Sequence, residues 1–371
     1  MFIGVPKEIK EDEYRIAITP SGIEALRKDG HEVLVEEDAG IGSGITNEEI
    51  MKAGAKILPS HEEAFTQAEM IVKVKEPLRE ECDLLKEGQI LFTYLHLASN
   101  KTLTRSLMKA KVIAIAYETV ETDEGKLPLL IPMSEVAGRL AIQEGAKCLE
   151  RPQGGEGILL GGVPGVAPAK VAILGGGVVG TNAAKMAAGL GARVVILDVN
   201  LDRLRYVDDM LKENVITIKS NEYNIRQAIK DADLVVGAVL VPGAKAPHLV
   251  TRKMLKTMKP GSVIVDVAID QGGCVETSRP TCLNEPTYKV KEIIHYCVTN
   301  MPGCVARTST YALTNATLPY ILKLANYGYP QALREDRALA RGLNIADGKI
   351  ACEGVAKAHG LPYYRVEDIL L

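Results

Sequence analysis

Gly175, Gly177 and Gly180 fall in the spacing G-x-G-x-x-G, directly after the apolar run 171–174 and directly before a helical pattern over 178–190. Each glycine answers a different demand. The first allows a sharp turn, the second lets the backbone approach a pyrophosphate, and the third lets the helix pack on the strand. Free N–H groups and the positive dipole end at the start of that helix would hold the phosphates without a basic side chain. A second apolar run, 193–197, ends in Asp198. A carboxylate there is placed to accept hydrogen bonds from an adenosine ribose and to repel a 2′-phosphate, so the pattern predicts a site for NAD in preference to NADP.

In open α/β sheets ligands bind beyond the carboxyl ends of the strands, so polar residues at those ends are the other candidates. Lys75 closes MIVKVK, where an ammonium beside an apolar strand is costly unless it meets an anion or polarises a carbonyl. Lys73 competes with it. His96 closes QILFTYLH and is the best general acid or base, because an imidazole titrates near neutral pH. Asp270 follows VIVDVAID at the end of a strand in the dinucleotide-binding half, whereas Asp266 is mid-strand and the weaker candidate. Arg15, in the polar loop EDEYR, could clamp a carboxylate in bidentate fashion. The loop Asn300-Met301-Pro302-Gly303 follows the last strand, where it can approach the nicotinamide.

Two layers of strand and helix must position these residues. In the first, apolar runs at 3–5, 33–35, 70–74, 90–94 and 112–116 alternate with helical patterns at 20–28, 47–53 and 102–110, which predicts a parallel α/β sheet. A helix over 132–147, with Ser134 as N-cap, leads through the Gly/Pro-rich connector ERPQGGEGILLGGVPGVAP to the second layer. There the strands 171–174, 193–197, 215–218, 234–236, 263–267 and 293–298 make six, the number of a complete dinucleotide-binding sheet. Helices expected at 308–327, 331–341 and 353–359 then return to the first layer. The expected fold is therefore two doubly wound parallel-sheet α/β domains. A discontinuous substrate domain takes 1–132 with 306–371, and a Rossmann domain takes 133–305.

Composition narrows the partners. Forty-four basic against 47 acidic residues give a net charge of −3, which excludes a broad electrostatic footprint for nucleic acid or anionic membrane. The most apolar region, 158–179, is interrupted by prolines, glycines and Lys170, so no membrane span is expected. Seven scattered cysteines without a C-x-x-C argue against a zinc site or a disulfide framework, and point to a reducing cytoplasm.

The chain resembles the alanine dehydrogenase family, which also includes the NAD-binding subunit of proton-translocating transhydrogenase. The resemblance rests on GVPKEIK, MIVKVKEP, LFTYLHLA, AIAYETV, LGGVPGVAP, GGGVVGTNAAKMAAGLGA, GAVLVPG, DVAIDQGGCVET, TNMPG and LPYILKLAN, which together cover nearly everything to about residue 345. It implies that Arg15 and Lys75 bind the substrate carboxylate and oxo group, and that His96 and Asp270 are the acid/base pair. For NAD it implies Ser134, Val178, Val179, Asp198, Arg203, Ser220, Val239, Leu240, Val267, Asp270, Arg279, Asn300 and Met301, besides the three glycines. A hexamer is implied as well. Cys304 stands after MPG where a smaller apolar residue is expected. Lys323 and Tyr327 on the last long helix are not metal ligands, so no metal is expected.

The implied reaction is reversible oxidative deamination of L-alanine to pyruvate and ammonia. Hydride leaves Cα for the nicotinamide, and water attacks the imine. Each stage moves a proton, which one base and one carboxylate could supply by exchanging roles, with domain closure excluding bulk water. The alternative is an NAD(H)-binding subunit of a transhydrogenase with no amino-acid chemistry. The strand-end positions of Lys75 and His96 favour the dehydrogenase.

Overall fold

The structure is a computed structural model that describes residues 1–211, 214–239 and 246–370. In chain order its strands are β1 (Phe2–Val5), β2 (Glu32–Glu36), β3 (Lys56–Leu58), β4 (Met70–Val72), β5 (Ile90–Thr93), β6 (Ile113–Ala116), β7 (Lys170–Leu174), β8 (Arg193–Asp198), β9 (Val215–Lys219), β10 (Leu234–Gly237), β11 (Val263–Asp266), β12 (Thr287–Val290), β13 (Ile293–Tyr296), β14 (Leu343–Ala346) and β15 (Lys349–Ile350). The chain divides into two compact units, Met1–Met133 with Val305–Leu371, and Ser134–Cys304. Each is described in turn.

The first unit carries a sheet in the order β15-β14-β6-β5-β4-β1-β2-β3. From β1 the chain builds outward to β2 and β3, then crosses to β4, β5 and β6 on the other side, so the strand order reverses between β1 and β4. All four residues of β5 and β6 are buried, which is why these strands read as unbroken apolar runs. On one face Ile71, Leu91 and Ala114 meet Leu103 and Leu107 of the helix Lys101–Ala110. The sheet is larger and less uniform than the expected parallel layer. β3 is too short to stand out as an apolar run. β14 and β15 form a hairpin that pairs antiparallel to β6, in a region read from sequence as helices only. The helical segment Ala306–Glu335 covers the helix expected at 308–327 and the start of the one expected at 331–341, with a break at Gly328, whose φ is +71°, and Arg337–Arg341 forms a separate helix.

The second unit carries seven strands, not six, in the order β12-β13-β11-β10-β7-β8-β9. β12 is the addition. It pairs antiparallel to β13, and its alternately exposed residues give no apolar run. The order reverses between β7 and β10, and every pairing but that of β12 with β13 is parallel. Ser134 is not an N-cap: the helix is Ile131–Cys148, and Ser134 is its fourth residue. The preceding turn, in which the N–H groups of Leu130 and Ile131 donate to Leu127 O, starts the helix early, and Pro132 is tolerated in its first turn.

Candidate active site

In the first unit the candidate residues gather at the carboxyl ends of β1, β4 and β5. Lys73 and Lys75 follow β4 by one and three residues. The Lys73 ammonium, 1% exposed, lies 2.6 Å from Glu81 Oε1 and 3.2 Å from Glu8 Oε2. Burial works against its charge, but the two carboxylates outweigh it and hold the group above the usual lysine value. Lys75 is partly buried and makes no side-chain hydrogen bond or ion pair among the described residues. Burial first, then the neighbouring Arg15 charge, holds its ammonium below the usual value. The two lysines thus differ in their partners. Glu8 also fixes the Lys75 backbone, accepting from Val74 N at 2.6 Å and Lys75 N at 3.3 Å.

Arg15 is 2% exposed. Its Nε donates to Glu13 Oε1 at 2.6 Å and its Nη2 to Glu13 Oε2 at 2.5 Å, so the bidentate edge of the guanidinium clamps a carboxylate of the same loop. Nη1 lies 2.9 Å from Met133 Sδ. A cavity of about 400 Å³ opens beside this pair, with Lys7, Glu8, Tyr14 and Asp38 also in its lining.

His96 is exposed, in a left-handed conformation with φ 50° and ψ 36°. Its ring lies parallel to that of Tyr94, the centroids 5.9 Å apart. Tyr94 is itself anchored by its hydroxyl, which donates to Leu129 O at 2.6 Å.

In the second unit the glycine turn follows β7. Gly175 has φ +106°, and a Cβ there would lie 2.6 Å from Ala238 O. A Cβ on Gly180 would collide with Gly175 O. Gly177 differs: it precedes the helix Val178–Gly189, and a Cβ on it would meet no atom of the described residues within 4 Å. Only a ligand needs that space, so the residues present fit a bound pyrophosphate. Val178 and Val179 form the first, half-buried turn of the helix. Asp198, closing β8, accepts from Gly176 N at 2.6 Å through Oδ2 and from Asn200 N at 2.7 Å through Oδ1. Arg203 braces the turn from below, with Nε on Gly176 O and Nη2 on Thr181 Oγ1, both at 2.8 Å.

The remaining NAD candidates also sit at carboxyl ends. Ser220 follows β9 and donates its N–H to Asp198 O at 2.8 Å, while Val239 follows β10. Leu240 lies outside the described residues. β11 ends at Asp266, one residue earlier than expected. Val267 opens a short helical turn, Val267–Gln271, which exposes Asp270. Asp266 is fully buried and no longer a mere strand residue. Its carboxylate accepts from the N–H groups of Ala268, Cys274 and Val275 and from Ser278 Oγ, and so closes the loop that carries Asp270. Arg279 is exposed and stacks over the Tyr288 ring at 4.3 Å. Asn300 has φ 58°, and buried Met301 opens the turn Met301–Val305.

Residues 4–137 match the family model described as alanine dehydrogenase/PNT, N-terminal domain, and residues 141–353 match its C-terminal domain. The chain is 60% identical over 371 residues to the alanine dehydrogenase of Methanococcus maripaludis, with both chains covered completely. The chain belongs to the alanine dehydrogenase family. The alanine dehydrogenase of Geobacillus stearothermophilus is 55% identical over 372 residues, again over the full length of both. A solved structure of L-alanine dehydrogenase superposes with a TM-score of 0.94 at 54% identity, covering 97% of this chain and 99% of that one. A transhydrogenase from Sinorhizobium meliloti shares the fold, with a TM-score of 0.83 at 24% identity over 94% of this chain and all of that one. The family resemblance and the α/β class expected from sequence are borne out.

Sequence reasoning missed the carboxylates behind the site: Glu8, Glu13, Glu118 and Asp266 in its supporting role. Glu8, Glu118 and Asp266 gave little signal, since they bond to backbone or to a charge distant along the chain, whereas Glu13, two residues before Arg15, could have been read as its partner.

Proposed function

We propose that this chain catalyses the reversible, NAD-dependent oxidative deamination of L-alanine to pyruvate and ammonia. The reading is carried by one observation: beside the buried Arg15, the partly desolvated Lys75 ammonium has no partner among the described residues. A substrate little larger than its carboxylate is recognised by such cations, because one methyl group contributes only about 0.8 kcal/mol. Glu13 holds the Arg15 guanidinium in place, the substrate carboxylate is assigned to that cation, and Lys75 donates to the oxo group of pyruvate.

NAD, when bound at the glycine turn, supplies the hydride acceptor. His96 and Asp270 handle the protons. The amine must be neutral before hydride leaves, a water must be activated to attack the imine, and the departing nitrogen must be protonated. We assign NAD contacts to Ser134, Gly175, Gly177, Val178, Val179, Gly180, Asp198, Arg203, Ser220, Val239, Leu240, Val267, Asp270, Arg279, Asn300 and Met301. The substrate domain is then the unit containing Arg15, Lys75 and His96.

The finer reading is a cytoplasmic homohexamer acting in alanine catabolism. No disulfide joins any of the seven cysteines, which suits a reducing compartment, and among the described residues no helix is long and apolar enough to cross a membrane. Light scattering on the purified protein should give the mass of six 40.0 kDa chains. Alanine-dependent formation of NADH tests the activity. Its absence at any alanine concentration would return the chain to the transhydrogenase-subunit reading.

A further inference from the structure

We infer that Glu118 is the positioning residue for His96, acting through the backbone to hold the imidazole in place for the reaction proposed above. β5 and β6 pair in parallel as far as Thr93 opposite Ala116, after which β6 turns into the short helix Tyr117–Thr119. Tyr94 N still donates to Val74 O at 3.3 Å, but the N–H groups of Leu95 and His96 lie beyond the ladder. The Glu118 carboxylate takes the place of ladder partners: its Oε1 accepts from His96 N at 2.6 Å, and both oxygens stand 3.2 Å from Leu95 N.

This bond holds a conformation that histidine does not adopt for nothing. A non-glycine residue in the left-handed region is disfavoured and persists where its surroundings over-determine it. At His96 they do so from both sides. Glu118 fixes the entering amides, and His96 O accepts from Ser99 N at 3.1 Å and from Ser99 Oγ at 2.9 Å. The left-handed turn directs the chain from the buried Leu95 into the turn Leu97–Ser99 and lays the imidazole parallel to Tyr94. Glu118 bonds to the backbone of His96, so its effect on the ring is through geometry.

Two measurements separate this role from ordinary stabilisation. Hydrogen exchange on peptides spanning 92–99 should show the Leu95 and His96 amides exchanging at least about tenfold faster in Glu118→Ala than in wild type, with other peptides unchanged. This arm reads the contact whether or not the enzyme turns over alanine. In steady-state kinetics Glu118→Ala should lower kcat about 10- to 100-fold, the scale of misplacing a catalytic group, with KM for alanine and NAD within about twofold. Glu118→Gln, which keeps an acceptor oxygen, should recover part of the loss.

In a His96→Ala background, Glu118→Ala should cost nothing more, because there is no imidazole left to aim. A further loss in that background, wild-type kcat in Glu118→Ala, or unchanged exchange at 95–96 would each overturn the inference. If wild type forms no NADH from alanine, the proposed function fails by itself, and the exchange result still decides whether Glu118 holds the turn.

Discussion

Lys73 and Lys75 stand two residues apart on one segment, and only Lys73 has carboxylate partners: Glu81 at 2.6 Å and Glu8 at 3.2 Å. The same side chain is a structural ion at position 73 and, in the proposed reading, a substrate-binding group at position 75. Substitution should separate the two. Lys73→Met strands two buried carboxylates, so it should cost about 3–5 kcal/mol of stability, the usual result of removing one partner of a buried pair. Lys75→Ala removes a desolvated cation and should leave the melting temperature unchanged or higher, while lowering turnover by about 100-fold or more. Equal destabilisation by both variants would place Lys75 in the framework.

The glycine turn offers a second separation. Gly177→Ala adds a methyl group that meets no atom of the described residues within 4 Å, so thermal stability should be kept while NADH affinity falls about tenfold or more. Gly180→Ala drives a methyl group into Gly175 O and should cost stability directly. NADH titration beside calorimetry distinguishes them. Unaltered NADH affinity in Gly177→Ala would move the pyrophosphate elsewhere.

Asp198 has two tasks in the structure. It accepts from the Gly176 and Asn200 amides and presents a negative charge at the carboxyl end of β8. Asp198→Ala should therefore weaken NAD and raise the NADP/NAD ratio of kcat/KM. Asp198→Asn keeps an acceptor for the amides and removes only the charge. If the ratio stays at the wild-type value in Asp198→Asn, the discrimination comes from another residue.

A third group of charges sets a pH dependence of stability. His61 Nδ1 lies 2.7 Å from Glu36 Oε2, and its Nε2 stands 3.3 Å from Glu81 Oε1, an ion-pair distance at an angle short of a hydrogen bond. Burial opposes the imidazolium, but the two carboxylates prevail and raise its pKa from 6.5 to about 9. A raised folded-state pKa gives stability that is complete below about pH 6.5 and is lost as pH climbs through about 9. Partial exposure of the imidazole screens the effect to about 1 kcal/mol, or about 2–4 °C in melting temperature for a unit of this size. Wild type should lose that much more than His61→Gln between pH 6.5 and 9.5. Parallel melting curves for the two proteins across the range would show that the pairs contribute nothing.

Thiol chemistry gives a further check. Cys274, close in sequence to Asp270, is fully buried, and burial beside Asp266 pushes its thiol well above the usual value, so it should be inert. Cys304 is partly exposed in the turn after Asn300. Alkylation that inactivates the enzyme should spare Cys304→Ala and be slowed by NADH. Equal inactivation of that variant would point to the exposed Cys282.

What the sequence determined by itself was local. Buried parallel strands announce themselves as apolar runs, a turn with positive φ at Gly175 demands glycine, and a lysine, a histidine or an aspartate at the end of such a run is visible without knowing its neighbours. These features depend on residues within one strand-turn-helix unit. The tertiary structure decided which charges are neutralised. Lys73 meets Glu8 because β4 lies beside β1, 65 residues away along the chain. Glu118 reaches His96 because β6 lies beside β5. The hairpin of β14 and β15 was hidden for the same reason: its two short strands are held by the pairing of β14 with β6, more than 220 residues earlier, and not by a periodicity of their own. Partner choice in a parallel sheet is non-local, since each crossover brings together ends that the sequence separates.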